Sequence, residues 1–420
     1  MQRRQFLAAT PGLLALPHLT RHQRPRKKTT YRVAVIGTGW YGKMDLFRLL
    51  QVAEVNVVGL CDVDARQLQH AADWLRRRHP EQAPRLYANH EELLAREKPD
   101  LVLIETPDHW HAKQAVDCIN AGCHLYLQKP ITKTVAEADA LLAAAINSDN
   151  VIQVALQRRS TPHLIDMKNK YIDTELIGEV HHVEMSCYYH MRDDAVREEK
   201  PIPEYFDYER WTGPAPRLPY RGLPHRRWRA FKAYGNGIIG DMCVHYYDAV
   251  RWLLDLGEPA KISSQGGIYV DTRADATTTD TQTALFEYPE RKLNLHWTHR
   301  AWGAAPEPDW PWSFTLYGTN GTLQASTLGY EWRPGKGRDE NAYVKVDAVY
   351  EREQYPEDVD EEGIELHVAP AVRAHFLDWL EAIETGRKPV ASLEEGYLST
   401  VACIRANEAA ETGRAWTAGN

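Results

Sequence analysis

Tyr31-Arg32-Val33-Ala34-Val35-Ile36 is a short apolar run rich in β-branched residues and predicts a buried strand. A glycine-rich turn, Gly37–Gly42, follows at once, and Lys43–Leu50 then carries its apolar residues at helical spacing. A second apolar run, Val55–Cys61, ends at Asp62. The alternation continues through a helix over Ala65–Arg78, a strand near Leu86, a helix near Glu91 and a strand over Leu101–Glu105. A turn (Thr106–His111), a helix to Ala121, a strand (His124–Leu127), a helix (Thr134–Ser148) and a last strand (Val151–Ala155) complete it. Strand and helix in strict alternation predict a doubly wound parallel sheet over residues 30–158, with ligands at the carboxyl edge of its strands.

Beyond residue 158 the pattern changes. A helix over His163–Tyr171 precedes a long extended run, Glu179–Met191, and residues 192–236 read as loop, rich in Pro, Arg and aromatics. A helix over Asp241–Leu254 is followed by strands at Lys261–Val270, Thr281–Tyr288, Leu293–His299, Trp312–Tyr317 and Thr322–Ala325, with another at Ala342–Tyr350. Helices over Pro370–Thr385 and Leu393–Ala410 close the chain. A run of strands after the βα half predicts a second, α+β domain over residues 159–420. Its sheet should be mostly antiparallel, with one face covered by helices and one open for packing into a homodimer or homotetramer.

The turn Gly37-Thr38-Gly39-Trp40-Tyr41-Gly42 stands between a strand and a helix, and Asp62 lies at the end of the next strand. That is the fingerprint of a dinucleotide site in its required context. Gly37 permits the tight turn, Gly39 lets backbone approach a pyrophosphate, and Gly42 lets the helix pack closely with its N-terminus toward the phosphates. A carboxylate at Asp62 accepts from an adenosine ribose and repels a 2′-phosphate, which favours NAD, with NADP as the alternative.

Two further stretches carry candidate chemistry. The Asp241–Leu254 helix is apolar nearly all round, so it should be buried, yet Asp241, His245 and Asp248 recur at i, i+4 and i+7. A narrow polar stripe on a buried helix points into a wet cavity or a hydrogen-bond network, with Asp241 as a plausible N-cap. Lys129 follows a strand at the ligand edge, and a Lys there can exchange a proton with an alcohol. Arg158 and Arg159, after the last parallel strand, stand near the domain junction as substrate contacts.

Composition narrows the partners. The net charge is −8, but the first 28 residues carry seven Arg or Lys and no acid, leaving about −15 on the rest. Such a body repels nucleic acid and anionic membranes. The Arg221–Lys232 stretch of bases and aromatics therefore reads as a substrate or solvated loop rather than a nucleic-acid patch. His109 and His111 flank Trp110 at a helix start, where cofactor packing is a better reading than metal. His181, His182 and His190 fall on the long strand. The six cysteines form no CxxC pair and sit in apolar runs, so buried free thiols are expected. Arg3-Arg4 followed by a short apolar stretch resembles a twin-arginine export signal within residues 1–29, which implies a periplasmic or exported protein. A non-functional signal would leave it cytoplasmic.

The chain resembles the Gfo/Idh/MocA oxidoreductases over residues 30–415. The resemblance rests on Gly37-x-Gly39-x-x-Gly42, Asp62, Thr106-Pro107 with His111, Lys129-Pro130 and Gly240-Asp241-Met242-x-x-His245-x-x-Asp248. It implies NAD(P)-dependent chemistry on a sugar or cyclitol, with Lys129, Asp241 and His245 as the catalytic set. The implied cofactor contacts are Gly37, Thr38, Gly39, Trp40, Tyr41, Gly42, Asp62, Thr106, Pro107, His111, Gln128 and Lys129. Substrate contacts are Arg159, Asp241, His245 and Trp110, and no metal is implied. The family usually has Glu before the Lys-Pro pair. Here it is Gln128, which removes a negative neighbour and should leave Lys129 less favoured as a cation. Export favours a tightly held, recycled cofactor, with His22–Lys28 as an enclosing arm. The same site also suits a redox-neutral glycosidase or lyase, and a non-catalytic sugar or nucleotide sensor is the alternative of another class.

Overall fold

The computed structural model describes residues 30–188, 192, 195–222, 227–307, 309–359 and 365–419. The twin-arginine stretch, the His22–Lys28 arm and His190 lie outside the described residues.

The first half alternates β1 (Tyr31–Ile36), α1 (Trp40–Val52), β2 (Val55–Cys61), α2 (Ala65–Arg78), β3 (Arg85–Tyr87), α3 (His90–Glu97), β4 (Leu101–Ile104), α4 (Asp108–Asn120), β5 (His124–Leu127), α5 (Val135–Ala145) and β6 (Ile152–Val154). Its sheet runs β3-β2-β1-β4-β5-β6, with every pairing parallel. This is a Rossmann sheet, and the strand order reverses between β1 and β4, where a crevice opens for ligand. Caps fix the helix starts: Asp64 accepts from the N–H groups of Arg66 and Gln67, and Thr134 forms a capping box with Glu137.

The second half begins with α6 (Pro162–Met167), which runs on as a π turn to Ile172, and β7 (Val180–Cys187). The stretch read as loop contains a short helix, α7 (Tyr208–Thr212), and a 3₁₀ turn at Arg227–Ala230. Next come α8 (Val244–Leu254), β8 (Lys261–Gly267), β9 (Thr281–Tyr288), β10 (Leu293–Arg300), β11 (Trp312–Gly318), β12 (Gly321–Ser326), β13 (Gly329–Pro334) and β14 (Val344–Asp347). The chain ends with α9 (Ala369–Thr385), α10 (Leu393–Thr412) and β15 (Trp416–Thr417). The second sheet has the order β14-β13-β12-β11-β7-β10-β9-β8-β15, antiparallel except for β7 with β10. Strands β13 and β15 have no counterpart in the sequence reading, being too short or too polar to show a period-2 signal. Along β9 and β10 buried residues alternate with less buried ones: one face packs on the helices, and the other carries His182 in contact with both His296 and Tyr317. All six cysteines are buried and free.

The halves do not divide cleanly at residue 158. Helix α9 packs on the first sheet, where Val372, Phe376, Trp379 and Ile383 share a core with Val33, Leu49 and Leu103. Phe376 stacks on Tyr126 of β5 with ring centroids 4.3 Å apart. The final segment thus completes the first core.

Candidate active site

The glycine turn is built as its residue types require. Gly37 has φ +94°, and a Cβ there would meet the Glu105 carbonyl at 2.7 Å. A Cβ on Gly42 would lie 2.0 Å from the Gly37 oxygen, so α1 can start this close to β1 only with glycine. At Gly39 a Cβ would meet nothing within 4 Å, because that backbone faces an open cleft. Asp62 is clamped at the rim: Oδ2 accepts from Thr38 N at 2.8 Å and Thr38 Oγ1 at 3.0 Å, and Oδ1 accepts from Asp64 N at 2.9 Å.

The cleft has a volume of about 1020 Å³ and runs from α2 and the α3 start past the glycine turn to Lys129. Gly37, Gly39, Trp40, Tyr41, Asp62, Thr106, Pro107, Trp110, His111, Gln128 and Lys129 line it. Thr38 and Gly42 do not; both turn inward and shape the backbone instead. Open backbone at Gly39, the helix N-terminus behind it and a carboxylate at the strand end fit a dinucleotide.

Several of the cleft residues also serve as braces. The ring nitrogens of His111 lie 2.7 Å from the carbonyl oxygens of Thr106 and Pro130 and tie together the turns after β4 and β5. His109 lies between the Trp211 and Tyr234 carbonyls, and burial lowers both histidines to about 4; a neutral ring carries one N–H, so each donates to one of its two carbonyls and packs against the other. The Trp110 indole N–H donates to Trp211 O at 2.8 Å, and its ring lies against Gly213 and His90. Trp110 walls the cleft with its donor already committed.

A strap from the second half forms the outer wall of this cleft. Ala65 N donates to Tyr205 O (2.9 Å) and Asp207 N to Val63 O (3.0 Å), joining the strap to the turn after β2. Arg66 stacks over Tyr205 at 3.6 Å. Tyr208, Trp211, Trp228, Phe231 and Tyr234 form a separate aromatic core beneath the strap. Sequence reading saw the aromatics but not their partners, which no local period encodes.

At the far end Lys129 and Asp241 meet. Lys129 Nζ donates to Asp241 Oδ1 at 2.7 Å and to Asp241 O at 2.8 Å. Arg229 Nε donates to the same Oδ1 at 3.1 Å while its guanidinium lies over Trp228. Burial alone would raise the Asp241 carboxyl, but Lys129 and Arg229 outweigh it and hold it below the usual range. Asp241 is not an N-cap: it lies inside a π-helical turn, Ile239–Cys243, that runs directly into α8. Such turns recur where a helix must present a particular side chain. His245, one turn on, is buried and its Nδ1 has no partner. Burial, then the charges of Lys129 and Arg158, push its imidazole well below the ordinary value, so it stands neutral and able to accept a proton.

Other residues depart from expectation. Gln128 Nε2 donates to Asp45 Oδ2 at 2.8 Å and so turns away from Lys129. Asp45 and Glu105 lie together in the interior with both Glu105 oxygens unbonded, a placement that favours a protonated carboxyl in the pair. Burial pushes Asp45 to about 7 and Glu105 well up. The negative neighbour of Lys129 is Asp241, which holds the ammonium. Arg159 does not face the cleft: it forms a two-pronged bond with Asp248 (2.8 Å for each) and pairs with Glu395 at 2.7 Å. Asp248 also accepts from Ser399 at 2.8 Å, so the third member of the polar stripe is structural. Among the described residues His90, Glu91 and Asp117 stand close enough to share a metal, but Lys113 already bonds to Glu91 and Asp117. No described helix is long and apolar enough to cross a membrane.

Comparison with known proteins agrees with this layout. The profile of an oxidoreductase family with an NAD-binding Rossmann fold matches residues 31–156, and the profile of the GFO/IDH/MocA C-terminal domain matches residues 168–324. A 4-carboxy-2-hydroxymuconate-6-semialdehyde dehydrogenase from Sphingobium is 30% identical over 145 residues, 34% of this chain and 44% of that protein. An inositol 2-dehydrogenase from Salmonella typhimurium is 28% identical over 152 residues, 36% and 44% of the two chains. These matches span under half the length of either relative. A levoglucosan dehydrogenase solved with NADH and levoglucosan superposes with a TM-score of 0.69 at 18% identity, covering 93% of this chain and all of the other. That likeness is one of fold.

Proposed function

Because the chain belongs to the Gfo/Idh/MocA oxidoreductase family, we propose that it oxidises or reduces a hydroxyl-bearing carbon of a small polyhydroxylated molecule, using NAD held in the cleft. The observation that carries this reading is Lys129, which lines the dinucleotide-shaped cleft and bonds at 2.7 Å to Asp241, one helical turn before the buried His245 whose Nδ1 is unbonded. When bound, the nicotinamide supplies a hydride acceptor or donor. His245, neutral and unpartnered, takes the hydroxyl proton as the hydride leaves the same carbon, giving a carbonyl. Lys129, held in place by Asp241, donates to the developing oxyanion. Asp241 fixes Lys129 and Arg229 through a single oxygen. Relatives named for inositol and levoglucosan oxidation support a carbohydrate or cyclitol substrate.

The strap over Val63–Ala65 supports tight retention of the cofactor, and so recycling within one active site. That suits the export suggested by the twin-arginine stretch, since a folded enzyme can carry its cofactor with it. NAD is favoured over NADP by the Asp62 carboxylate at the cleft rim. The open face of the second sheet supports assembly into dimers or tetramers.

Incubation of the purified protein with a panel of sugars, cyclitols and glycosides, with products read by mass spectrometry, tests the reading. Paired oxidised and reduced products, or NADH formed with an oxidised product, are expected. Free sugar released from glycosides without net NADH would replace the dehydrogenase by the redox-neutral glycosidase, and binding without any turnover would leave a sensor.

A further inference from the structure

Arg158 is a buried cation with no ion-pair partner among the described residues. It lies in the 3₁₀ turn Gln157–Ser160 after β6 and is 8% exposed. Its Nε and Nη1 are sealed from solvent and bond to nothing. The adjacent Arg159 shows how this fold treats a structural guanidinium, with two bonds to Asp248 and a third to Glu395. The carboxylates on the surrounding elements are already engaged: Asp241 by Lys129 and Arg229, Asp166 by Lys170 and Tyr330. Glu365, near Tyr41, is exposed. A buried guanidinium left without an anion is strongly unfavourable, so a fold that retains one keeps it for a ligand.

Other unsatisfied atoms gather at the same place. The Tyr246 hydroxyl, His245 Nδ1 and Gln157 Oε1 are buried and unbonded. The turn that carries Arg158 packs against α8, and the Arg158 charge bears on His245, Tyr246 and Tyr41 as well as on His163 and His367. Across the site Lys129 and Arg229 share one carboxylate oxygen, which leaves the local balance positive.

We propose that Arg158, with the Tyr246 hydroxyl as second donor, binds a carboxylate of the substrate, so that this enzyme acts on a sugar-derived hydroxy acid such as an aldonate or uronate. Nε and Nη1 belong to different edges of the guanidinium, so either edge can present the paired N–H groups that match a carboxylate. A neutral hydroxyl would satisfy one N–H and leave the charge unanswered. The inference rests on the reading above that Lys129, Asp241 and His245 act on a substrate hydroxyl.

The test uses full-length protein with its cofactor and compares acid and neutral partners, D-gluconate with D-sorbitol and D-glucuronate with D-glucose, by product mass spectrometry. Wild type should favour the acid by ~100-fold in kcat/KM, and Arg158→Gln should raise KM for the acid by a similar factor. In that variant the preference for acid over neutral partner should collapse toward one, the NAD dissociation constant should stay within about twofold, and Arg158→Lys should recover part of the loss. Equal use of acid and neutral partners by the wild type would overturn the proposal. So would an Arg158→Gln variant that weakens NAD and both substrates alike, which would give the guanidinium to the cofactor. If neither partner is turned over while NAD still binds, the oxidoreductase reading fails. Calorimetry of gluconate on the NAD-loaded protein then decides the anion site: binding lost in Arg158→Gln supports it, and no binding overturns it.

Discussion

Gln128 Nε2 donates to Asp45 Oδ2 at 2.8 Å, and this bond aims the residue before the Lys-Pro pair into the interior rather than at Lys129. Asp45 and Glu105, packed together beneath the glycine turn, hold a proton more tightly folded than unfolded. A raised carboxyl pKa makes stability fall as pH rises from the unfolded value near 4 toward the folded value of about 7. Asp45→Asn should therefore flatten the decline between pH 5 and 8. The gain over wild type should grow by roughly 1–3 kcal/mol across that window, measured by urea unfolding. A difference between the two proteins that is constant with pH would refute the protonated carboxyl.

His245→Asn should lower kcat by roughly 10²–10⁴ with little change in the NAD dissociation constant, because it removes a proton acceptor that makes no hydrogen bond in the resting protein. Since burial keeps the imidazole pKa well below its ordinary value, the acid limb of the wild-type kcat profile should lie below pH 6.5. Lys129→Met should also slow turnover while leaving that acid limb in place. If the limb vanishes in Lys129→Met and persists in His245→Asn, the two assignments exchange.

Arg159→Met takes the two-pronged partner from buried Asp248 and leaves it only the longer 3.9 Å contact with Arg251, so the loss should be one of stability, roughly 3 kcal/mol in denaturant unfolding. Arg158→Gln, one residue away, should leave the unfolding midpoint unchanged or raised, since it removes an uncompensated charge. A loss of stability at Arg159 and none at Arg158 is the expected result.

Tyr205→Ala removes the ring under Arg66 and loosens the strap beside the turn after β2. Cofactor exchange, followed by displacement of bound NADH fluorescence, should speed up by about tenfold, the equivalent of about 1.4 kcal/mol. An unchanged exchange rate would remove the strap from any part in retention.

The glycine turn, Asp62 and the Lys129-Pro130 corner were legible because each follows a strand whose apolar run is unmistakable and each needs a particular residue type. The meeting of Lys129 with Asp241 was legible only through resemblance, since 112 residues separate them. What escaped was set by tertiary pairing. Nothing in Arg158-Arg159 says which guanidinium meets Asp248, nothing in Gln128 says it will face Asp45, and Tyr205–Asp207 carries no alternation announcing a bridge to Val63–Ala65. Arg229 was visible only as one base among many, although it shares the Asp241 oxygen with Lys129.

Helix α9 has a consequence for synthesis. Phe376 and Trp379 fill the side of the first sheet that Tyr126 presents, so a ribosome that has already delivered all six parallel strands still holds an unfinished nucleotide-binding half. Completion waits for α9, more than 200 residues after β6. Any step that requires the finished half, cofactor loading included, must follow the synthesis of that helix.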